Sequence, residues 1–167
     1  MAECKNIMVY VETAEGNPVK VGLEMLSPAK KLADKVTAVV IGGGVADAAK
    51  EVAKAGADQV ICVDSEDYKE FNLDAYAQVL VELVKEENPE AVFVGGTQDG
   101  KDIAPVVAAK CNTGCASDVL DIKAEDGEVI YTCPLYGGTV LEDVKIKTTP
   151  QIATLRSGAF QKVEDPT

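Results

Sequence analysis

Residues 91–110 read AVFVGGTQDGKDIAPVVAAK. An apolar run, a glycine-containing loop and a helix-forming stretch in that order predict a buried strand that turns directly into a helix. Gly95, Gly100 and Lys101 stand at the spacing of a phosphate-binding loop, in the expected strand-to-helix context. The next residue departs from that pattern. A phosphate loop places a Ser or Thr hydroxyl there to hold magnesium, whereas this chain has Asp102, and Asp99 adds a second negative charge. Pro105 has no backbone donor, which is harmless only among the first four amides of a helix, so a regular helix is expected to begin no earlier than Asp102, with Asp102 as its cap. Two readings stand side by side: a tight loop closed by a capping carboxylate, and a cofactor contact through Gly95, Gly96, Thr97, Gly100 and Lys101.

Working outward, short apolar runs alternate with helical patterns, the signature of a parallel sheet covered by helices. The runs NIMVYVE from Asn6, TAVVIGGG from Thr37 and QVICVD from Gln59 supply three further strands. ADAAKEVAKAG predicts a helix ended by Gly56 in the left-handed conformation. NLDAYAQVLVELVKEENP places Leu73, Tyr76, Ala77, Leu80, Leu83 and Val84 on one helical face, with Asp74 in the first turn and Pro89 past the end. In the first crossover, Ser27 is expected as a cap with Pro28 at the first helical position, which leaves VGLEML as a preceding turn or kinked segment. After Asn112 the pattern alternates, punctuated by Asp126-Gly127 and Gly137-Gly138 as hairpin turns. The expected fold is a three-layer α/β domain, a mostly parallel sheet flanked by helices, with an antiparallel extension near the C-terminus. The domain is expected to span residues 1–160, and the polar QKVEDPT at 161–167 to be a tail or the start of a linker.

Composition narrows the function. The 167 residues carry a net charge of -12, which repels nucleic acid and anionic membranes, and no basic patch offsets it. No leader pattern follows Met1 and no apolar run approaches the roughly 20 residues of a membrane span, so a cytoplasmic location is expected. The five cysteines are expected as reduced thiols. Cys111 and Cys115 have no histidine or nearby third cysteine to complete a metal site, so none is expected, and a thiol-redox role for the pair is a weaker reading. Without histidine there is no Ser-His or Cys-His nucleophile, and no catalytic residue is assigned; the scattered carboxylates read as a solvated acidic face. GGGVAD, residues 42–47, has Asp47 where a dinucleotide fingerprint has its last glycine, and reads as a turn with Asp47 in the first helical turn.

Taken together, NIMVYVE, KVGLEMLSPAKKLAD, VAKAGADQV, FVGGTQDGKDIAPVVAAK, TGCASDV, YGGTV and TPQIATLRSGAF resemble the amino-terminal domain of electron transfer flavoprotein alpha subunits over nearly the whole chain. The most specific parts are GTQDGKDIAP at 96–105 and PQIATLR at 150–156. The chain departs at Lys101 and Val106, where family members often carry arginine, and at Ser157, where they often carry proline. The resemblance implies a fold related to adenine nucleotide alpha hydrolases and universal stress proteins. It also implies a heterodimer with a beta subunit, electrons received from acyl-CoA or related dehydrogenases, and an FAD held largely by a second domain that this sequence does not contain. An alternative of another class is a stand-alone adenine-nucleotide-binding module of the universal stress protein type.

Overall fold

The computed structural model describes residues 4–163. Its elements begin with β1 (Cys4–Tyr10), a small hairpin of β2 (Thr13–Ala14) and β3 (Asn17–Pro18), helices α1 (Lys20–Glu24) and α2 (Leu26–Leu32), and β4 (Ala33–Gly42). There follow α3 (Ala46–Lys54), β5 (Gln59–Asp64), α4 (Leu73–Glu87), β6 (Ala91–Gly95) and α5 (Gln98–Lys110). The remainder contributes β7 (Cys115–Val119), β8 (Asp121–Glu125), β9 (Glu128–Leu135), β10 (Val140–Val144) and β11 (Gln151–Leu155).

Six strands form one sheet in the order β5-β4-β1-β6-β11-β7, and every neighbouring pair is parallel. Successive residues of a strand face opposite sides, so each central strand feeds two cores. Ile7, Val9, Val36, Ala38 and Phe93 join a core covered by α1, α2 and α3. Met8, Tyr10, Val39, Val92 and Ile152 join the other, covered by α4 and α5. Burial on both faces explains why β1, β4 and β6 read as continuous apolar runs rather than alternating ones.

The expected antiparallel extension is present as a separate sheet, ordered β10-β9-β8. Its Val129, Tyr131 and Cys133 pack into the first core. The turns at residues 126–127 and 137–138 are hairpin turns, with Asp126, Gly127, Gly137 and Gly138 all at positive φ. One part of the alternating segment behaves differently: β11 enters the main sheet parallel, between β6 and β7.

Two helix starts differ from expectation. Helix α5 begins at Gln98 rather than Asp102: the Thr97 side chain caps it by accepting from the Gly100 amide, and the Lys101 amide donates to the Thr97 carbonyl at 3.0 Å. Pro105 sits inside this helix on an exposed face, where the Lys101 carbonyl it leaves unpaired can meet water. Asp102 is exposed and accepts from Gln98 at 3.4 Å. In the first crossover the helical region starts at Lys20 and breaks at Met25, so Ser27 is not the cap and Pro28 is the third residue of α2. The break lies one residue past Glu24, whose carbonyl is the partner Pro28 cannot reach. Within α1, the buried Glu24 carboxylate accepts the Gly158 amide at 2.9 Å and pairs with Lys20 at 3.3 Å. Of the expected tail, Val163 packs against the first core, and residues 164–167 lie outside the described residues.

Candidate functional site

Because β1, β4 and β6 run parallel, their carboxyl ends open on the same edge, where open α/β sheets place ligands. A cleft of about 300 Å³ lies there. Its walls come from the chain following β1, the end of β4, the segment before α4 and the start of α5. Tyr10 and Glu12 are two residues apart on β1 and its extension and line the same cleft. Phe71 and Tyr76 add an edge-to-face aromatic pair with centroids 5.1 Å apart.

The cleft is acidic. Glu12, Glu15, Glu70 and Asp99 line it against one cation, Lys69, and Lys69 already pairs with Glu66 at 3.7 Å. Among the described residues none of the four carboxylates forms an ion pair. Burial pushes the Glu12 carboxyl above its usual range; the Thr97 hydroxyl, donating at 2.6 Å, pulls it partly back, and Asp99 pushes it further up. Burial also raises the pKa of Tyr10, with Glu12, Tyr76 and Asp99 adding to the shift.

The five residues singled out in the sequence are brought together around this loop, and internal packing accounts for most of their polar groups. Gly95 is buried at the end of β6, and the Gly96 amide donates to the Leu155 carbonyl at 2.7 Å. Thr97 bridges Glu12 and the Gly100 amide. Gly100 is required by close approach: a side-chain carbon there would stand 1.9 Å from the Gly95 carbonyl oxygen. Lys101 is exposed, and its charge acts on Asp118. The second glycine loop is likewise engaged, since Gly44 donates to Asp64 at 2.7 Å and Asp47 pairs with Lys50 at 2.8 Å. Cys111 and Cys115 are half-buried thiols, and burial raises both pKa values.

Sequence reading assigned the carboxylates to a solvated face, and the structure instead gathers Glu12 and Asp99, both half-buried, at the cleft. The available signal was the period of two that sets Tyr10 and Glu12 side by side where the first strand ends. A second feature is an apolar surface on the β9–β10 hairpin, where Leu135, Tyr136, Val140 and Leu141 are 37%, 85%, 47% and 59% exposed.

These features define a class: a doubly wound α/β domain with an acidic crevice and an internally engaged glycine loop. A family profile described as "Electron transfer flavoprotein domain" matches residues 7–167, and the chain belongs to that family. It is 37% identical to "Protein FixB" of Clostridium saccharobutylicum, aligning 98% of this chain with 51% of that protein. It is 36% identical to "Electron transfer flavoprotein subunit alpha" of Clostridium acetobutylicum, over 97% of this chain and 50% of that one. It is also 32% identical to "Acryloyl-CoA reductase electron transfer subunit beta" of Anaerotignum propionicum, over 96% and 52% respectively. The chain therefore spans about half the length of the curated relatives it matches.

The family implies FAD, whose pyrophosphate needs unpaired amides and cations. The strand-end cleft does not fit that group, because the Gly96 and Gly100 amides are already bonded and four carboxylates face the opening. Among the described residues no helix is long and apolar enough to cross a membrane.

Proposed function

We propose that this chain is the scaffold and subunit-docking domain of an electron transfer flavoprotein, in which electrons pass from acyl-CoA or related dehydrogenases through FAD. Family membership supports the electron-transfer role, and the name of the A. propionicum relative supports a CoA-ester oxidoreductase as partner. The FAD is held elsewhere in the assembly, in keeping with the unsuitable cleft. The five loop residues 95–97, 100 and 101 are then a vestigial cofactor loop retained for packing. We place the end of the domain near Phe160, with residues 161–167 a polar tail or the start of a linker, and the assembly in the cytoplasm.

The observation that carries the docking reading is the apolar β9–β10 hairpin. Four large apolar side chains exposed on one hairpin of the three-stranded sheet are costly to leave in water and mark an interaction surface. The partner on this reading is the beta subunit, giving a heterodimer. The alternative adenine-nucleotide module is disfavoured by the carboxylates that face the cleft. Size-exclusion chromatography of the chain mixed with its beta subunit tests the proposal. Co-elution that is lost in Leu141→Asp supports it, and separate elution of the two wild-type chains, either alone or when the remaining alpha-subunit sequence is supplied, refutes it.

A further inference from the structure

The strand-end cleft is unsuited to phosphate, yet its lining of carboxylates and a phenol suits a group of the opposite charge. Tyr10 is 2% exposed, and its hydroxyl opens into the cleft without a hydrogen-bond partner among the described residues. Among the described residues no buried side-chain polar atom lacks a partner, so the Tyr10 oxygen is reached by solvent through the cleft and is open to a ligand there. Asp99 is half-buried beside it and also accepts no hydrogen bond among the described residues. The first turn of α5 gives Asp99 a structural reason to be acidic, but it gives Tyr10 no reason to end in an unpaired hydroxyl rather than as Phe.

We infer that the cleft receives an organic cation, a primary ammonium or guanidinium group, held by Glu12 and Asp99 with the Tyr10 hydroxyl accepting a third hydrogen bond. Such a group supplies several donors and a positive charge, which matches two carboxylates and a phenolic oxygen. Phe71 and Tyr76 also line the cleft, and aromatic rings attract ammonium and guanidinium groups alike. A bare metal ion is a poorer match, because no three metal-ligating side chains are grouped among the described residues. The volume of about 300 Å³ is that of a small-ligand site. The cation can come from a free amine or from a lysine or arginine side chain of a partner chain. The inference is independent of the subunit-docking proposal, whose hairpin lies on a separate sheet.

The test is calorimetric titration of the full chain, at constant ionic strength, with 1,4-diaminobutane, Nα-acetyl-lysine amide and Nα-acetyl-arginine amide. Saturable one-site binding of at least one probe, with Kd of about 1 mM or tighter, is expected. Tighter binding of the diamine identifies a free amine as the source, and tighter binding of a capped residue identifies a side chain. Glu12→Gln and Asp99→Asn should each weaken the interaction about tenfold or more, the scale of one lost charge-assisted hydrogen bond. Tyr10→Phe, which keeps the buried ring, should weaken it by roughly threefold to tenfold. Absence of saturable binding by all three probes overturns the inference. So does equal affinity in wild type and the three variants, which would assign the heat to diffuse attraction by the acidic surface.

Discussion

The Thr97 hydroxyl joins two elements at one atom, donating to Glu12 at 2.6 Å while accepting the Gly100 amide at 3.0 Å. It thereby ties the end of β1 to the start of α5. Thr97→Ala should destabilise the chain by about 1–2 kcal/mol, since a helix cap and a partly buried carboxylate lose their partner together. Thr97→Ser should retain most of that stability. Urea unfolding of the three proteins checks the ordering.

Glu12 predicts an unusual pH dependence. Its folded-state pKa is raised, chiefly by burial, so ionised Glu12 opposes folding at any pH above that raised value, and the opposition disappears below the ordinary glutamate pKa. Glu12→Gln keeps an acceptor for Thr97 and removes the charge. The variant should be more stable than wild type at neutral pH, with the difference shrinking to nothing as pH falls through the window between the two pKa values. Thermal unfolding across that window reads the effect; a gain that persists unchanged at low pH would show that the charge is not its cause.

Asp118 predicts the opposite sign. It occupies the left-handed region at φ 59 and accepts from Arg156 Nε at 2.9 Å and from a second guanidinium nitrogen. The Arg156 hydrogen bond holds its carboxyl below the usual aspartate range. Its contribution is thus fully present above the unfolded-state pKa and is lost as pH falls through the lowered folded one. Asp118→Asn, which still tolerates the left-handed conformation, should be less stable than wild type at neutral pH. It should also lose less stability than wild type on acidification, a difference visible in paired melting curves.

Gly100→Ala tests the tightness of the loop. The added carbon would meet the Gly95 carbonyl oxygen at 1.9 Å, and neither backbone segment can yield without uncoupling β6 from α5. A loss of roughly 3 kcal/mol or more is expected, measured by chemical denaturation.

Tyr136 separates stability from docking. It is 85% exposed with φ 51, a conformation that costs an aromatic residue about 1–2 kcal/mol. Tyr136→Gly should leave the isolated chain as stable or more stable, while weakening co-elution with the beta subunit. Melting temperature and size-exclusion profiles of the same variant provide both readings.

Much of the layered fold was legible because the signals were strong and local. NIMVYVE and AVFVGG are buried on both faces and so could only be central strands, and Asp74 and Pro89 bracketed α4. Two things were obscured by proline. Pro105 suggested a late helix start, but capping by Thr97 and an exposed position let α5 absorb it; Pro28 was tolerated by breaking the helix at Met25. The parallel placement of β11 depends on partners 60 residues earlier in the chain, as in Gln151 against Ala91, and periodicity contains no such information. The cleft was harder still. Its carboxylates are polar letters spread from Glu12 to Asp99, and only the three-dimensional crossing of β1 and α5 makes them neighbours.

The position of β11 also governs the order in which the molecule can be completed. It fills an interior place in the sheet and, among the described residues, is the sole strand paired with β7 there. A nascent chain that has presented everything up to residue 150 still has an unpaired edge on β6, and β7 has no partner in the sheet. Closure awaits the arrival of Gln151–Leu155, and the Glu24 tie to Gly158 forms only after that. During synthesis, therefore, one edge of β6 lacks its partner until that segment arrives, and another strand in the cell could occupy the vacancy.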